Sequence, residues 1–167
     1  LKREFRTPLV VMTPKSLLRH PEAVSSMKEL SEGGFKEIIV EEVKGDEIKT
    51  VVCCSGKLFY ELRKVRDEQK LDDLTIVRVE QLYPFPQKQL TKILSGYKNM
   101  KNLVWSQEEP ENMGAWRFVK TNTDQASDWK LVSRFASASP ASGSSKVFEG
   151  RQAKVIEETL SYSTKNK

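Results

Sequence analysis

The sequence predicts an α/β fold with a mostly parallel sheet of about five to six strands. Short runs of apolar and β-branched residues recur along the chain, and amphipathic helical patterns separate several of them. From the third run onward the interval is roughly 25 to 29 residues, enough for a strand, a crossover helix and two short loops. This rhythm is typical of βαβ units. The predicted strands are residues 8–13, 37–42, 50–55, 74–80, 102–107 and 130–135.

Two amphipathic helices are predicted between the later strands. In the first, Phe59, Leu62 and Val65 fall on one face of a helical pattern, while charged residues occupy the other faces. The second has the same kind of apolar face and ends at Gly96, because glycine is favoured where a helix stops. Both helices are expected to pack on the sheet.

Other elements are predicted from their start and stop signals. A helix is expected to begin near Ser16, after a proline, and to be broken by Pro21. Residues 41–49 are interpreted as a charged turn, and residues 146–160 as a final helix. The last residues, about 163–167, are interpreted as a frayed polar tail.

Length and composition indicate one ordinary globular domain. The chain has 167 residues, of which 38% are hydrophobic and 31% charged, and this length allows a core that folds without disulfides. We therefore predict a single domain over residues 1–167. No apolar stretch approaches the roughly 20 residues of a membrane span, and no signal-peptide pattern is visible. We expect an intracellular protein with no membrane partner.

The positive net charge does not by itself predict a nucleic-acid partner. The formal charge is +5 at pH 7, and basic faces attract phosphate. However, lysines and arginines alternate with acids, as in ELRKVRDEQK at residues 61–70, a pattern typical of a solvated helix face. No aromatic and basic RNA-binding signature accompanies the charge. We expect no nucleic-acid partner.

The cysteines and the single histidine predict neither a metal site nor a catalytic centre. Cys53 and Cys54 are adjacent in an apolar run, where a disulfide would be strained, so we interpret them as small buried hydrophobic residues. One histidine with two adjacent cysteines cannot supply the four ligands of a structural zinc. His20 has no GxSxG nucleophile elbow to serve, so it is interpreted as a helix-end residue.

Loops that follow parallel strands meet at one edge of a sheet, where ligands gather. Helix N-termini at that edge suit an anion, and Lys57 and Arg134 would add positive charge. For the turn SGK at residues 55–57, a serine N-cap with a tight glycine turn is favoured over a phosphate cradle, since the GxxxxGK[ST] frame is absent. In SQEEPEN at residues 106–112, Pro110 is placed in the first turn of a helix.

Five longer strings resemble the C-terminal region of the first component of 2-oxoglutarate dehydrogenase. The resemblance covers nearly the whole chain, in the order and with the spacing of that family. The strings are TPKSLLRHPEAVSS (13–26), CSGKLFYEL (54–62), IVRVEQLYPFP (76–86), WSQEEPENMGAW (105–116) and SASPASGSSKVF (137–148).

The resemblance implies a transketolase-type C-terminal domain, which is a three-layer α/β sandwich. It also implies a parent enzyme of the tricarboxylic acid cycle that decarboxylates 2-oxoglutarate with thiamine diphosphate and magnesium held by upstream domains. That enzyme would pass the succinyl group to the lipoyl succinyltransferase component of its complex, and the family is typically homodimeric. No cofactor is expected on this chain, and the chain alone is expected to be inactive.

The same resemblance implies a structural role for the loop SQEEPEN at residues 106–112, which we call the glutamate loop. Glu108, Glu109 and Glu111 would not be catalytic acids, because the thiamine ylide serves as the electron sink of the parent reaction. Their loop is expected to contact a neighbouring domain or subunit, with tryptophans as packing anchors. The predicted interface residues are Tyr83, Phe85, Glu108, Glu109 and Trp116.

An effector site is a further implication of the resemblance. Some bacterial relatives bind an acyl-CoA or nucleotide at this domain, and Lys57 and Arg134 match a lysine and an arginine of that site. Where those relatives carry an arginine eight residues beyond the lysine, this sequence has Val65, next to Arg66. Lys57, Arg66 and Arg134 are therefore predicted to bind acetyl-CoA or AMP.

Two other functions stay open at this point. The chain could be the same domain of a 2-oxoadipate dehydrogenase paralogue, although SASPASGSS at residues 137–145 favours the 2-oxoglutarate branch. It could also be a free-standing binding module without catalysis. The expected location is the bacterial cytoplasm, with the mitochondrial matrix as the alternative.

Overall fold

The protein is represented by a computed structural model that describes residues 4–8, 10–123 and 128–164. Two compact units divide the chain, Leu1–Gly34 and Phe35–Lys167, and each is described by itself. The single domain expected over residues 1–167 stays a prediction. No helix within the described ranges is long and apolar enough to cross a membrane.

In the first unit, the apolar run near the start of the chain is not a strand. Pro8 and residues 10–13 have no regular secondary structure, and Leu9 lies outside the described residues, so the strand predicted there is wrong. A 3-10 helix, Lys15–Arg19, follows Pro14 and ends before Pro21. The predicted helix is therefore confirmed as a single short 3-10 segment that begins just before Ser16.

The first unit also contains α1 (Met27–Glu32), a helix that we did not predict. Ser26 precedes it as the N-cap: its Oγ accepts a hydrogen bond from the Glu29 N–H, and the Glu29 carboxylate accepts one from the Ser26 N–H. This reciprocal pair is a capping box, which satisfies two donors at the helix start. The sequence therefore contains a helix-start signal, a serine followed three residues later by a glutamate, although the helix has only 6 residues.

The second unit is built on a sheet of five strands among the described residues, in the order β1-β3-β2-β4-β5. The last four strands are mutually parallel, and β1 pairs antiparallel with β3 at one edge. The prediction of a mostly parallel α/β sheet is thus confirmed. The strands are β1 (Ile38–Val40), β2 (Thr50–Cys54), β3 (Leu74–Val79), β4 (Asn102–Pro110) and β5 (Trp129–Arg134).

Helices cover both faces of this sheet. Apolar residues of α3 (Gln87–Leu94) and α4 (Trp116–Thr121) pack on one face, and those of α2 (Leu58–Glu68) and α5 (Ser145–Leu160) pack on the other. The three-layer sandwich is therefore confirmed. The amphipathic helix predicted before Gly96 ends at Leu94, and the charged turn contains one 3-10 turn, Gly45–Glu47.

The central strand β2 is buried along its whole length. Such a strand reads as a continuous apolar run, because helices cover both of its faces. Cys53 and Cys54 lie in it as fully buried, unpaired thiols, as predicted. Burial raises the pKa of both thiols, so neither is a thiolate at neutral pH.

The helix predicted at Pro110 is wrong, because β4 continues to that residue and α4 begins at Trp116. After an irregularity between Ser106 and Pro110, the pairing with β5 resumes, and the Glu111 N–H donates to the Arg134 carbonyl at 2.9 Å. Proline is tolerated in a sheet at a bulge, and Pro110 directly follows the register shift in the pairing of β4 with β5.

The polar tail predicted from about residue 163 is wrong for its first two residues. Ser163 is fully buried and donates from Oγ to Asp73 Oδ1 at 2.5 Å, and Thr164 donates from its N–H to Asp73 Oδ2 at 2.8 Å. The carbonyl of Tyr162 accepts hydrogen bonds from Thr50 Oγ1 and Asn102 Nδ2. The chain after α5 is thus anchored to the amino ends of the strands, while residues 165–167 lie outside the described ranges.

Candidate functional site

The strand order defines a crevice at the carboxyl ends of β2 and β4. From β2 the chain moves to β3 on one side, then crosses back to β4 and β5 on the other side. In open parallel sheets, ligands bind where the direction of winding reverses in this way. Lys57 follows β2, and Glu108 lies near the end of β4. Both residues therefore lie at this topological switch point.

Lys57 is held between two carboxylates. Its Nζ is 2.7 Å from Glu61 Oε1, on the first turn of α2, and 2.6 Å from Glu108 Oε1, on β4. The side chains of Lys57 and Glu108 are largely shielded from water, and that of Glu61 is 34% exposed. Hydrogen bonds between charged groups are shorter and stronger than neutral ones, so this pair of contacts ties the start of α2 to the end of β4.

Helix α5 contributes the amide that completes the group. Gln152 Nε2 donates to Glu61 Oε2 at 2.7 Å and to Glu108 Oε1 at 3.0 Å. The Gln152 Oε1 atom accepts a hydrogen bond of 3.4 Å from Arg134, the last residue of β5. Four elements thus converge on one polar network.

Phe148 brings the two predicted cations together. Lys57 Nζ lies 5.4 Å from the centroid of its ring, and Arg134 Cζ lies 5.1 Å from the same centroid. Both distances are within the range of cation–π attraction. We call the whole group the switch-point cluster; its members are Lys57, Glu61, Glu108, Arg134, Phe148 and Gln152.

The charge state of Lys57 limits what the cluster can do. Burial alone lowers the pKa of Lys57, but the hydrogen bonds to Glu108 and Glu61 outweigh it and raise the pKa above its ordinary value. Lys57 is therefore a fixed cation rather than a general base. Two cations face two carboxylates here, so an anionic ligand would have to displace Glu61 or Glu108 from Lys57.

The turn at residues 55–57 contains the predicted glycine conformation but not the predicted serine N-cap. Gly56 has a φ of 65°, as a tight glycine turn requires. The residue that precedes α2 is Lys57, and no side chain caps this helix. The serine N-cap proposed for Ser55 is therefore wrong, and the glycine turn is confirmed.

Arg66 is not joined to the switch-point cluster by any contact that the described residues show. It lies near the opposite end of α2, where its guanidinium pairs with both carboxylate oxygens of Glu41 and with Asp67. Glu41 also accepts a hydrogen bond of 3.2 Å from the Ile76 N–H of β3. The structure thus brings together Lys57 and Arg134 and places Arg66 in a separate ion pair.

Gln107 organises the glutamate loop on the other face of β4. Its Oε1 accepts from Trp105 Nε1 and from the Trp116 N–H, each at 3.0 Å. Its Nε2 donates to the carbonyls of Pro110 and Met113, at 3.1 and 2.8 Å. One buried amide therefore fixes both ends of the turn between β4 and α4, and the sequence alone did not reveal this role.

Among the predicted interface residues, only some are exposed. Tyr83 is 84% exposed, and its ring centroid is 6.4 Å from that of Phe118. Phe85 is half-buried and packs edge-to-face on Phe118 at 6.2 Å. Glu109 is exposed, whereas Trp116 is buried and Glu108 points into the switch-point cluster. We call Tyr83, Phe85 and Phe118 the aromatic patch.

Some members of these groups escaped the sequence analysis for a physical reason. Gln152 and Phe118 carried no motif, and only the packing of α5 and α4 reveals their roles. Phe148 lies inside SASPASGSSKVF, so its position was visible but its role was not. His20 follows the 3-10 helix, and its Nδ1 accepts from the Glu22 N–H at 3.3 Å.

The architecture defines a class of protein. A solved structure titled "Split gene transketolase, inactive beta4 tetramer" matches 78% of this chain and 44% of that chain, with a TM-score of 0.55 and 11% sequence identity. At such low identity the likeness concerns the fold alone. The second unit therefore has a transketolase-like α/β fold.

The sequence then identifies the family. The family model "2-oxoglutarate dehydrogenase C-terminal" matches residues 24–160, and the chain belongs to that family. It is 43% identical, over 96% of its length, to the 2-oxoglutarate dehydrogenase E1 component of Haemophilus influenzae. It is 45% identical, over 84% of its length, to the protein of the same name from Cupriavidus necator.

The matched relatives are much longer than this chain. The chain spans 18% of the Haemophilus protein and 16% of the Cupriavidus protein. Their names do not favour the 2-oxoadipate paralogue or a free-standing module. The resemblance to the C-terminal region of a 2-oxoglutarate dehydrogenase first component is confirmed.

Proposed function

We propose that this chain is the C-terminal assembly and regulatory domain of a 2-oxoglutarate dehydrogenase E1 component. The whole protein would decarboxylate 2-oxoglutarate and transfer the succinyl group to the lipoyl succinyltransferase component of its complex in the tricarboxylic acid cycle. The observation that carries this proposal is the family match over residues 24–160, together with relatives of that name that align with most of the chain.

Thiamine diphosphate would supply the electron sink for decarboxylation. The chain spans only 18% of the matched Haemophilus protein, so most of that protein lies outside it. We therefore assign the cofactor to the rest of the longer protein. The contribution of this chain would be to position neighbouring parts of the enzyme.

Exposed apolar residues of the first unit support an assembly role. Val10 is 78% exposed and Met12 90% exposed, and the apolar residues of α1, Met27 and Leu30, are exposed as well. Exposed apolar patches of this kind mark contact sites. We assign this segment to contact with the upstream thiamine-binding domains.

The aromatic patch supports a second contact, with the partner subunit of a homodimer. Aromatic residues are enriched in protein interfaces, and Tyr83 and Phe118 both face solvent beside exposed Glu109. In the full-length protein, we expect Tyr83→Ser with Phe118→Ser to weaken the dimer, as measured by sedimentation. The matched control is Val147→Ser, which removes exposed apolar surface elsewhere. An unchanged dimer would contradict the assignment.

Regulation by an anionic effector would use the switch-point cluster. Lys57 and Arg134 both lie against Phe148, and Arg134 also contacts Gln152, so two cations stand close together where the phosphates of acetyl-CoA or AMP would bind. Arg66, the third predicted residue, would act from its separate ion pair with Glu41. Ligand binding would release Lys57 from Glu61 or Glu108.

Calorimetry on the full-length protein tests the effector proposal. We expect acetyl-CoA or AMP to bind, and Lys57→Met or Arg134→Met to weaken binding at least about tenfold, which corresponds to about 1.4 kcal/mol. Arg66→Met tests the third residue. Lys64→Met, an exposed change on the same helix, should leave affinity unchanged. No binding at millimolar ligand would exclude the effector site.

The catalytic proposal is tested by ferricyanide-coupled, thiamine-dependent decarboxylation of 2-oxoglutarate. The full-length protein should be active and this chain alone inactive. Turnover by the chain alone would contradict its supporting role, and an inactive full-length protein would contradict the assigned reaction.

The bacterial names of the relatives lead us to propose the bacterial cytoplasm as the location of the protein, with the mitochondrial matrix as the alternative.

A further inference from the structure

A cleft of about 590 Å³ lies beside β5, at the edge of the sheet. It is lined by Leu131, which packs with the core on one face, and by Val155, which belongs to the core on the other face. A cleft that contacts residues of both faces must lie beyond the last strand. Within the described sheet β5 pairs only with β4, so its outer backbone groups border this cleft.

The floor of the cleft is one face of α5. Arg151, Lys154, Val155 and Glu158 are spaced three, four and seven residues from the first of them, so they lie along one side of the helix. Arg151 and Lys154 are exposed there. With Arg134, the cleft has three cationic side chains against two carboxylates, Glu111 and Glu158. Its net charge is therefore positive.

The composition of β5 disfavours pairing with a second copy of the chain. The sequence of β5, WKLVSR, contains Lys130 and Arg134 and no acidic residue. A symmetric antiparallel pairing of two copies centred on Val132 would place Lys130 of each copy opposite Arg134 of the other. Like charges directly opposite each other destabilise a sheet, and an edge lysine is a known protection against self-pairing. A second copy of this chain is thus a poor occupant.

We propose that this cleft is a docking groove for an extended acidic peptide segment, which adds to β5 as a sixth strand. In this mode of recognition, main-chain hydrogen bonds supply affinity and alternate side chains enter pockets on the two sides. Acidic side chains on the α5 side would meet Arg151 and Lys154. Apolar side chains on the other side would contact Leu131 and Phe135, which is 95% exposed. This proposal does not depend on the proposed reaction, and Arg134 is the one residue that the groove shares with the switch-point cluster.

The probe for the test is a capped hexapeptide of alternating valine and glutamate, titrated into the 167-residue chain and followed by amide NMR spectra. We expect shifts confined to residues 129–135 and 151–158, with slowed hydrogen exchange in β5. Arg151→Glu with Lys154→Glu should weaken binding at least about tenfold, since both changes reverse an attractive charge. Lys146→Glu is the matched control, because it is an exposed lysine of α5 that does not line the cleft.

Three further measurements could overturn the proposal. A valine and lysine hexapeptide that binds equally well would exclude acidic recognition, and free glutamate that produces the same shifts would indicate an anion site only. Concentration-dependent dimerisation in sedimentation, strengthened by Lys130→Glu because a glutamate would then face Arg134 of the other copy, would indicate that a second copy occupies the groove. Absence of any shift at millimolar peptide, in a chain whose spectrum shows it folded, would also overturn it.

Discussion

Lys57 and Glu108 meet across the crevice between β2 and β4, with Nζ and Oε1 2.6 Å apart. Because both side chains are largely shielded from water, Glu108→Gln should lower the free energy of unfolding by about 1–2 kcal/mol. Glu109→Gln, one residue along on the exposed side of the strand, should change it by less than about 0.5 kcal/mol. Urea denaturation measures both variants, and equal effects would contradict the structural role of Glu108.

Asp73 should make stability depend on pH in the acid range. Burial alone raises its pKa, but the hydrogen bonds from Ser163 and Thr164 outweigh it and lower the pKa below the ordinary value. A depressed pKa contributes stability that is present above the unfolded value of about 3.9 and is lost as pH falls through the folded value. Asp73→Asn should therefore be less stable than the wild type at pH 7, and the difference should shrink toward pH 2.

The control for this experiment is Asp46→Asn, at an exposed position in the 3-10 turn. It should change the free energy of unfolding by less than about 0.5 kcal/mol at either pH. If Asp73→Asn showed the same loss of stability at pH 2 as at pH 7, the carboxylate would not be the source of the effect.

Gly114 and Gly143 have nearly the same backbone conformation, so alanine substitutions at the two positions distinguish the cost of backbone strain from the cost of a steric clash. Gly114 and Gly143 have φ values of 69° and 64°, so alanine is strained at both. At Gly114 an added Cβ would also lie 3.0 Å from Gln107 Nε2, whereas at Gly143 it would meet nothing within 4 Å. We expect Gly143→Ala to cost about 1 kcal/mol and Gly114→Ala clearly more, in parallel thermal melts. Equal destabilisation by the two substitutions would show that the Gln107 side chain moves aside without lowering the free energy of unfolding.

Cys53 and Cys54 should be unreactive in the native chain. Both thiols are fully buried, and burial raises their pKa. The reactive thiolate form is therefore scarce, and a reagent cannot reach the sulfur atoms. With a disulfide reagent at pH 8, we expect the native rate to be at least roughly a hundredfold below that of a free thiol, because labelling requires opening of the sheet. Two thiols per chain should appear in denaturant, and rapid native labelling would contradict the burial of β2.

The fold was predictable from the sequence wherever local pattern and tertiary contact agree. The buried strands β2 and β3 are short runs rich in apolar and β-branched residues, and helices with one apolar face follow them. The run at residues 8–13 is similarly apolar, but it pairs with no strand among the described residues, so the pattern alone gave a wrong prediction. At Pro110 a helix was predicted where the structure has a strand. Proline is favoured in the first turn of a helix, but it is also tolerated beside a bulge in a strand.

The candidate site was predictable only in part. Lys57 and Arg134 were proposed first from their places in the loops at the carboxyl edge of the sheet and then from the resemblance, and the structure brings both against Phe148. Their partner Gln152 lies 91 residues from Glu61, a separation over which no local pattern reports contact. Gln107 was hidden because a buried amide that accepts and donates looks, in the sequence, like any polar residue of a loop.

The anchoring of Tyr162, Ser163 and Thr164 has a consequence for synthesis of the chain. The contacts of Thr50 and Asp73 with this segment span 112 and 91 residues, so loop closure over most of the domain must precede them. The domain is therefore expected to complete its folding only after α5 has left the ribosome. A nascent chain stalled before Tyr162 should be cut by protease faster than one released in full, and equal resistance would show that the sheet closes without this segment.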